Sequence, residues 1–158
     1  MIEPGAIAPD FTLLDQRGEP LTLSALRGSA VLLYFYPKDD TPGCTTQACG
    51  FRDAAGPYEV VGARVVGISP DDPASHARFA AKFGLAFPLV ADPGGVVAAA
   101  YGVWKEKNLY GHKKMGVERT TFLIDAGGTV RRVFRRVKVE GHALAMLEEL
   151  ADLDRPAT

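Results

Sequence analysis

The sequence predicts an α/β fold in which a central mixed β-sheet is flanked by helices, with a β-hairpin at the N-terminus. Three observations carry this expectation. Residues 30–36 and 64–69 are apolar runs of strand length, as in strands covered on both faces. Helix start and stop signals separate these runs. The chain then closes with strand, turn, strand and helix, an order that calls for helices packed on a sheet. The 158 residues fit one domain spanning 1–158.

Taken in order, residues 11–14 and 21–23 flank Asp15-Gln16-Arg17-Gly18-Glu19, which reads as a hairpin turn. Ser24 is placed to cap a short helical turn that Gly28 ends. After the strand at 30–36, the run Pro37-Lys38-Asp39-Asp40-Thr41-Pro42-Gly43 forbids regular structure. A helix follows over 44–55, with Gly56-Pro57 as its stop. Asp72-Pro73 supplies an N-cap and first residue for a helix to about Phe83, ended by Gly84. Leu89-Val90 reads as a short strand, and Asp92-Pro93 repeats the cap signal before a helix at 96–101. Residues 105–114 read as a polar loop, and Trp104 as a side chain packed on the core. Strands at 120–124 and 129–137 bracket the turn Asp125-Ala126-Gly127-Gly128. Leu144, Leu147 and Leu150 give 142–153 the stripe of an amphipathic helix.

Composition sets limits on function. Apolar residues make up 47% and charged residues 23%, which excludes a disordered chain. No apolar stretch approaches the ~18 residues of a membrane span. The opening Met1-Ile2-Glu3-Pro4-Gly5 lacks the pattern of a secretory signal, so a cytoplasmic protein without membrane contact is expected. Residues 1–100 carry 7 basic and 11 acidic side chains, whereas 105–138 carry 10 basic and 3 acidic. That basic stretch is compatible with an anionic partner or with a plain solvated face. It lacks the interleaved aromatic residues of a single-strand nucleic-acid platform, so no nucleic-acid partner is expected.

The two cysteines, Cys44 and Cys49, are five apart. Such a spacing fits neither the Cys-x2-Cys of zinc knuckles nor that of thioredoxin-type redox sites. The three histidines are scattered, and no metal or other cofactor is expected. Cysteine is ordinarily a small buried hydrophobe, but the context of Cys44 suggests more. It falls in the first turn of a helix, after a long strand and a Pro/Gly loop. There, unpaired backbone N–H groups and the helix dipole favour a thiolate over a thiol. The C-terminal end of a central strand is also where open α/β sheets form ligand crevices. Thr41 lies where its hydroxyl reaches the same pocket or simply closes the turn. Asp39 and Asp40, beside Lys38, read as solvated loop residues. Gly127-Gly128 is turn chemistry, and no Gly-x-Gly-x-x-Gly follows a strand to suggest a nucleotide site.

The run Tyr36-Pro37-Lys38-Asp39-Asp40-Thr41-Pro42-Gly43-Cys44-Thr45-Thr46-Gln47-Ala48-Cys49 resembles the active-site segment of peroxiredoxins. The Cys49 spacing resembles the subfamily called bacterioferritin comigratory protein, or peroxiredoxin Q. Gly5-Ala6-Ile7-Ala8-Pro9-Asp10-Phe11, Gly67-Ile68-Ser69-Pro70-Asp71 and Gly116-Val117-Glu118-Arg119-Thr120-Thr121-Phe122 extend the likeness over nearly the whole chain. The resemblance implies a thioredoxin-like fold and thiol-dependent reduction of hydroperoxides. It implies Cys44 as the peroxidatic cysteine and Cys49 as the resolving one, joined in a disulfide during the cycle. It also implies Thr41 as a hydrogen-bond partner of the peroxide, Arg119 on a distant strand as a cation beside the sulfur, and Pro37 and Gly43 as the shapers of the substrate pocket. A thioredoxin or similar dithiol would recycle the enzyme, and a monomer is the implied state. A protein disulfide oxidoreductase of the same fold is the alternative, weakened by the absence of Cys-x-x-Cys.

Overall fold

A computed structural model describes residues 2–153; Met1 and 154–158, which the one-domain expectation includes, lie outside the described residues. The elements in chain order are Thr12–Leu14 (β1), Pro20–Thr22 (β2), Ala30–Phe35 (β3), Pro42–Asp53 (α1), Ala55–Val60 (α2) and Ala63–Ser69 (β4). They continue with Pro73–Phe83 (α3), Leu89–Ala91 (β5), Val96–Ala100 (α4), Trp104–Leu109 (β6), His112–Val117 (β7), Thr120–Ile124 (β8), Val130–Arg135 (β9) and His142–Asp152 (α5). Five strands form the central sheet in the order β5-β4-β3-β8-β9. β3 runs parallel to β4 and antiparallel to β8, so the sheet is mixed.

Strand β3 lies at the centre because its residues are apolar on both faces. Leu32, Tyr34 and Tyr36 point into one hydrophobic cluster, with Cys44, Ala48 and Phe51 of α1 and Met146 and Leu150 of α5. Val31, Leu33 and Phe35 point into the other, with Tyr101, Val103 and Phe122. Such alternation in a strand buried on both sides places one core on each face of the sheet. Tyr34 pairs with Gly67 of β4 in the parallel register. A Cβ at Gly67 would sit 2.8 Å from the Tyr34 ring, so only glycine admits that phenol.

The N-terminal hairpin forms as predicted, and Asp15 fixes its turn by accepting from Arg17 N and Glu19 N. Asp72 caps α3 by accepting from Ser75 N, and Gly84 ends it in the left-handed conformation. Asp92 accepts from Val97 N and Ala98 N at the start of α4. Trp104 packs against the second cluster.

Five local expectations need correction. Residues 105–114 are not a loop but most of the β6–β7 hairpin, whose lysines other than half-buried Lys107 face solvent while main-chain pairing joins the strands. Gly56-Pro57 does not stop the helical course, because proline is tolerated in the first turn of α2. Ser24 does not cap with its side chain; its backbone N–H donates to Asp10 Oδ1. Leu144 is 65% exposed, because α5 buries its 143–146–150 face instead. Asp39 is buried, although Asp40 is exposed as expected.

Candidate active site

The site sits where β3 delivers the chain into α1. Thr41 is the N-cap residue in extended conformation, and Pro42 opens the helix. Cys44 is therefore in the first turn of α1, and it is buried. The predicted cation is beside it: Arg119 donates from one terminal nitrogen to Cys44 Sγ at 3.2 Å and from the other to Gln47 Oε1 at 2.6 Å. Arg119 lies in the two-residue connection between β7 and β8, not on a strand as predicted. Its position is fixed from behind by its own carbonyl, which accepts from Val137 N. Gly43 makes the approach possible, since a Cβ there would stand 3.2 Å from the guanidinium.

Of the other predicted residues, Thr41 directs its hydroxyl to Lys38 O at 2.9 Å, which closes the turn. Its main-chain carbonyl accepts from Thr45 N. Pro37 borders a cleft beside this loop. Cys49 is half-buried on α1 and lines a different groove, of about 460 Å³, together with His142. Both cysteines are free thiols.

Three features went unrecognised in the sequence. Gln47 is three residues after Cys44 and thus on the same helix face, a spacing that was available as a signal. It is buried, and its Nε2 has no partner among the described residues. The second feature is a polar clamp on the active-site loop. Asp39 Oδ1 accepts from Tyr36 Oη at 2.6 Å, and Oδ2 accepts from Ser75 Oγ at 2.8 Å. His76 Nδ1 lies 2.7 Å from the same Oδ2, and its Nε2 lies 3.1 Å from Val90 O. Both ring nitrogens thus face acceptors and the ring is gripped on two sides. Asp39 N donates to Asp71 Oδ2 as well. Burial raises the Tyr36 pKa well above its usual value, so the phenol stays a donor. No sequence spacing announces this clamp, because its members come from three separate segments. The third feature is Lys107, whose stem crosses Gly116 toward the site.

His142, at the start of α5, is buried with Nε2 2.9 Å from Thr121 Oγ1 and its ring edge-on to Phe51. Burial first, and the Arg119 cation second, push its pKa from 6.5 down to about 4. Between these values the unfolded chain binds a proton that the folded chain does not. Stability is therefore expected to fall as pH drops from about 6.5 to about 4, with a one-proton slope of at most about 1.4 kcal/mol per pH unit. Denaturant titrations across this range should show that slope, and His142→Gln should remove it. An unchanged slope in the variant would assign it to another group.

Comparison with known proteins follows the same outline. The family model described as AhpC/TSA matches residues 4–133. A putative peroxiredoxin bcp of Coxiella burnetii is 48% identical over 149 residues, covering 94% of this chain and 99% of that protein. Peroxiredoxin Bcp of Bacillus subtilis is 44% identical over 152 residues, covering 96% and 97%. Among solved structures, Xanthomonas campestris peroxiredoxin Q superposes with a TM-score of 0.89 at 43% identity, covering 96% of each chain. Another structure of a bacterioferritin comigratory protein from that organism, described in terms of alkyl peroxide reduction, superposes with a TM-score of 0.87 at 43% identity, covering 95% and 96%.

Proposed function

Since the chain belongs to the AhpC/TSA family and is a thioredoxin-like thiol peroxidase among the Bcp peroxiredoxins, we propose that Cys44 is its peroxidatic cysteine and Cys49 its resolving cysteine. The observation that carries the first assignment is the Arg119 donor 3.2 Å from Cys44 Sγ in the first turn of α1. A guanidinium and a helix N-terminus both stabilise an anionic sulfur. The thiolate attacks the terminal peroxide oxygen, forming an S–O bond as the O–O bond breaks. The departing oxygen takes up a proton and leaves as water or an alcohol. Cys44 is left as a sulfenic acid. Arg119 then faces negative charge developing on the oxygens, which is where a preorganised donor accelerates a reaction. Thr41 and Pro37 border the approach, and Gly43 keeps room for the guanidinium.

In the second step the Cys49 sulfur attacks Cys44 sulfur, forming the disulfide and displacing the sulfenic oxygen as water. A dithiol reductant of the thioredoxin type restores both thiols by exchange. All of these residues belong to one chain, which supports a monomer as the working unit. A thiol that must be reduced again at every turnover belongs where thiols are kept reduced, and we place the protein in the cytoplasm on that ground. No described helix is long and apolar enough to cross a membrane.

The test is stopped-flow oxidation of the reduced protein by hydrogen peroxide, followed by thiol loss. One equivalent of peroxide should consume both thiols, and Arg119→Met should slow that oxidation by roughly one to three decades, the range for losing one preorganised donor. An unchanged rate would remove Arg119 from the site. Reduction of insulin disulfides without peroxide consumption would instead favour the disulfide oxidoreductase.

A further inference from the structure

The cycle above leaves one buried carboxylate without a task. The Asp39 side chain is 4% exposed and stands shortly before Cys44 in the chain, yet none of its hydrogen bonds among the described residues goes to Cys44 or Arg119. They go to Tyr36, Ser75 and His76, while its main-chain N–H donates to Asp71 Oδ2 at 2.7 Å. Asp71 is itself held, because the same oxygen accepts from Ser69 Oγ at 2.8 Å at the end of β4. His76 is fully buried in the first turn of α3, where its main-chain N–H donates to Asp72 O at 3.1 Å and its Nε2 meets Val90 O of β5. One residue of the active-site loop is thus bonded to β4 and α3 directly, and to β5 through His76.

Asp40, the next residue, has φ 57, in the left-handed region. A residue other than glycine stays there where its surroundings hold it. Thr41 then caps α1, its carbonyl accepting from Thr45 N at 2.8 Å. Arg119 is placed independently, through its own carbonyl and Val137 N. The 3.2 Å contact between the guanidinium and Cys44 Sγ therefore depends on two separate supports meeting, and the Asp39 clamp belongs to the one that carries the sulfur. A reacting group misplaced by about 1 Å can lose about 10²-fold in rate. Stability alone does not require such a network, since apolar side chains of similar volume often serve a core as well. What the clamp supplies is position.

We propose that Asp39 and His76 are positioning residues: they fix the start of α1 so that Cys44 meets Arg119, and they thereby set how the sulfenic acid divides between the disulfide and over-oxidation. The inference rests on Cys44 as the peroxidatic and Cys49 as the resolving cysteine. With residue 39 fixed, forming α1 has to order only the residues that follow it. Without the clamp, the helix must also order the loop, and the added entropy cost shifts population toward the unwound form. That form favours attack by Cys49. The wound form, with Arg119 beside the sulfur, favours a second hydroperoxide: the sulfenic sulfur takes its terminal oxygen, the O–O bond breaks, and a sulfinic acid and water or an alcohol result. The clamp therefore speeds the first oxidation and exposes the enzyme to the second.

The test measures two quantities in each variant: the rate constant for Cys44 oxidation by hydrogen peroxide in stopped flow, and the sulfinic fraction formed per turnover at high peroxide, read by intact mass. Asp39→Asn and His76→Gln should slow oxidation about three- to tenfold and lower the sulfinic fraction by about the same factor. His76→Asn should restore both toward the parent, because its amide nitrogen stands near the place of Nδ1 and can still donate to Asp39, whereas that of glutamine stands near Nε2. Ser75→Ala, which removes one donor to Asp39 at a half-buried position, should move both in the same direction but less, and it keeps the test open if a buried variant fails to fold. Lys82→Met, which breaks the exposed ion pair to Asp40, should move neither. A merely structural role would lower the melting temperature and leave the sulfinic fraction unchanged, and that outcome, or equal effects of His76→Asn and His76→Gln, overturns the proposal. A parent whose Cys44 does not react with peroxide would instead overturn the peroxidatic assignment on which it rests.

Discussion

Cys44→Ser is expected to abolish peroxide turnover, to below about a thousandth of the parent rate in an assay coupled to thioredoxin. Serine has nearly the same shape, and Arg119 can still donate to its oxygen, so the fold should survive. What disappears is the nucleophile, because a serine hydroxyl is not ionised near neutral pH and oxygen attacks a peroxide poorly. A melting temperature within a few degrees of the parent would confirm that the loss is chemical. Turnover at the parent rate would transfer the role to Cys49, the other cysteine of the chain.

Cys49→Ser should have the second largest effect, and of a different kind. One oxidation should proceed at the parent rate, after which the protein stalls as a sulfenic acid and passes to the sulfinic form with excess peroxide. Geometry explains why resolution is a separate event. Cys44 and Cys49 lie on the same helix, α1. Five residues of helix give about 7.5 Å of rise and about 140° of rotation, so the two Cα atoms are roughly 8–9 Å apart with side chains diverging. A disulfide needs Cα atoms within about 7 Å. The first turns of α1 must therefore unwind, withdrawing Cys44 and Gln47 from the core in the process. Amides of 42–50 should exchange faster in the oxidised parent than in the reduced one, and the helical signal should fall. A variant that recycles as fast as the parent, or an oxidised crystal form with α1 unbroken, would defeat this account.

Most of the framework was legible in the sequence because its signals are local. Strand β3 is a continuous apolar run, and α3 carries Asp-Pro at one end and glycine at the other. The β6–β7 hairpin was not legible, because its exposed lysines hide the alternation on which strand reading depends, and beyond Trp104 and Val117 at its base it rests mainly on backbone pairing. The same blindness applies to the site. Cys44, Cys49 and their loop announce themselves by motif; Arg119, 75 residues away in sequence, was reached only through the family likeness of 116–122, and no local signal showed that it sits in the β7–β8 connection rather than on a strand. Asp39 looked like a solvated loop acid because nothing local reveals that Tyr36, Ser75 and His76 converge on it. Burial of a polar group depends on partners brought from elsewhere, and that is tertiary information.

The clamp on Asp39 has a consequence for the tempo of the cycle. It pins the chain just before α1, and Phe51, stacked on Tyr34 and edge-on to Tyr58, pins it just after Cys49. The segment that unwinds is thus tethered at both ends and has no freedom to diffuse away. Closing a loop of about ten residues takes about 10–100 ns, and helix relaxation about 0.1–1 μs. A protein reductant arriving at typical rate constants of about 10⁵–10⁷ M⁻¹s⁻¹ and micromolar concentration is slower by orders of magnitude. On the proposed cycle, once a Cys44–Cys49 disulfide is cut, the pocket around Cys44 is rebuilt long before the next reductant arrives, so the waiting time between turnovers belongs to collisions rather than to the restoration of shape.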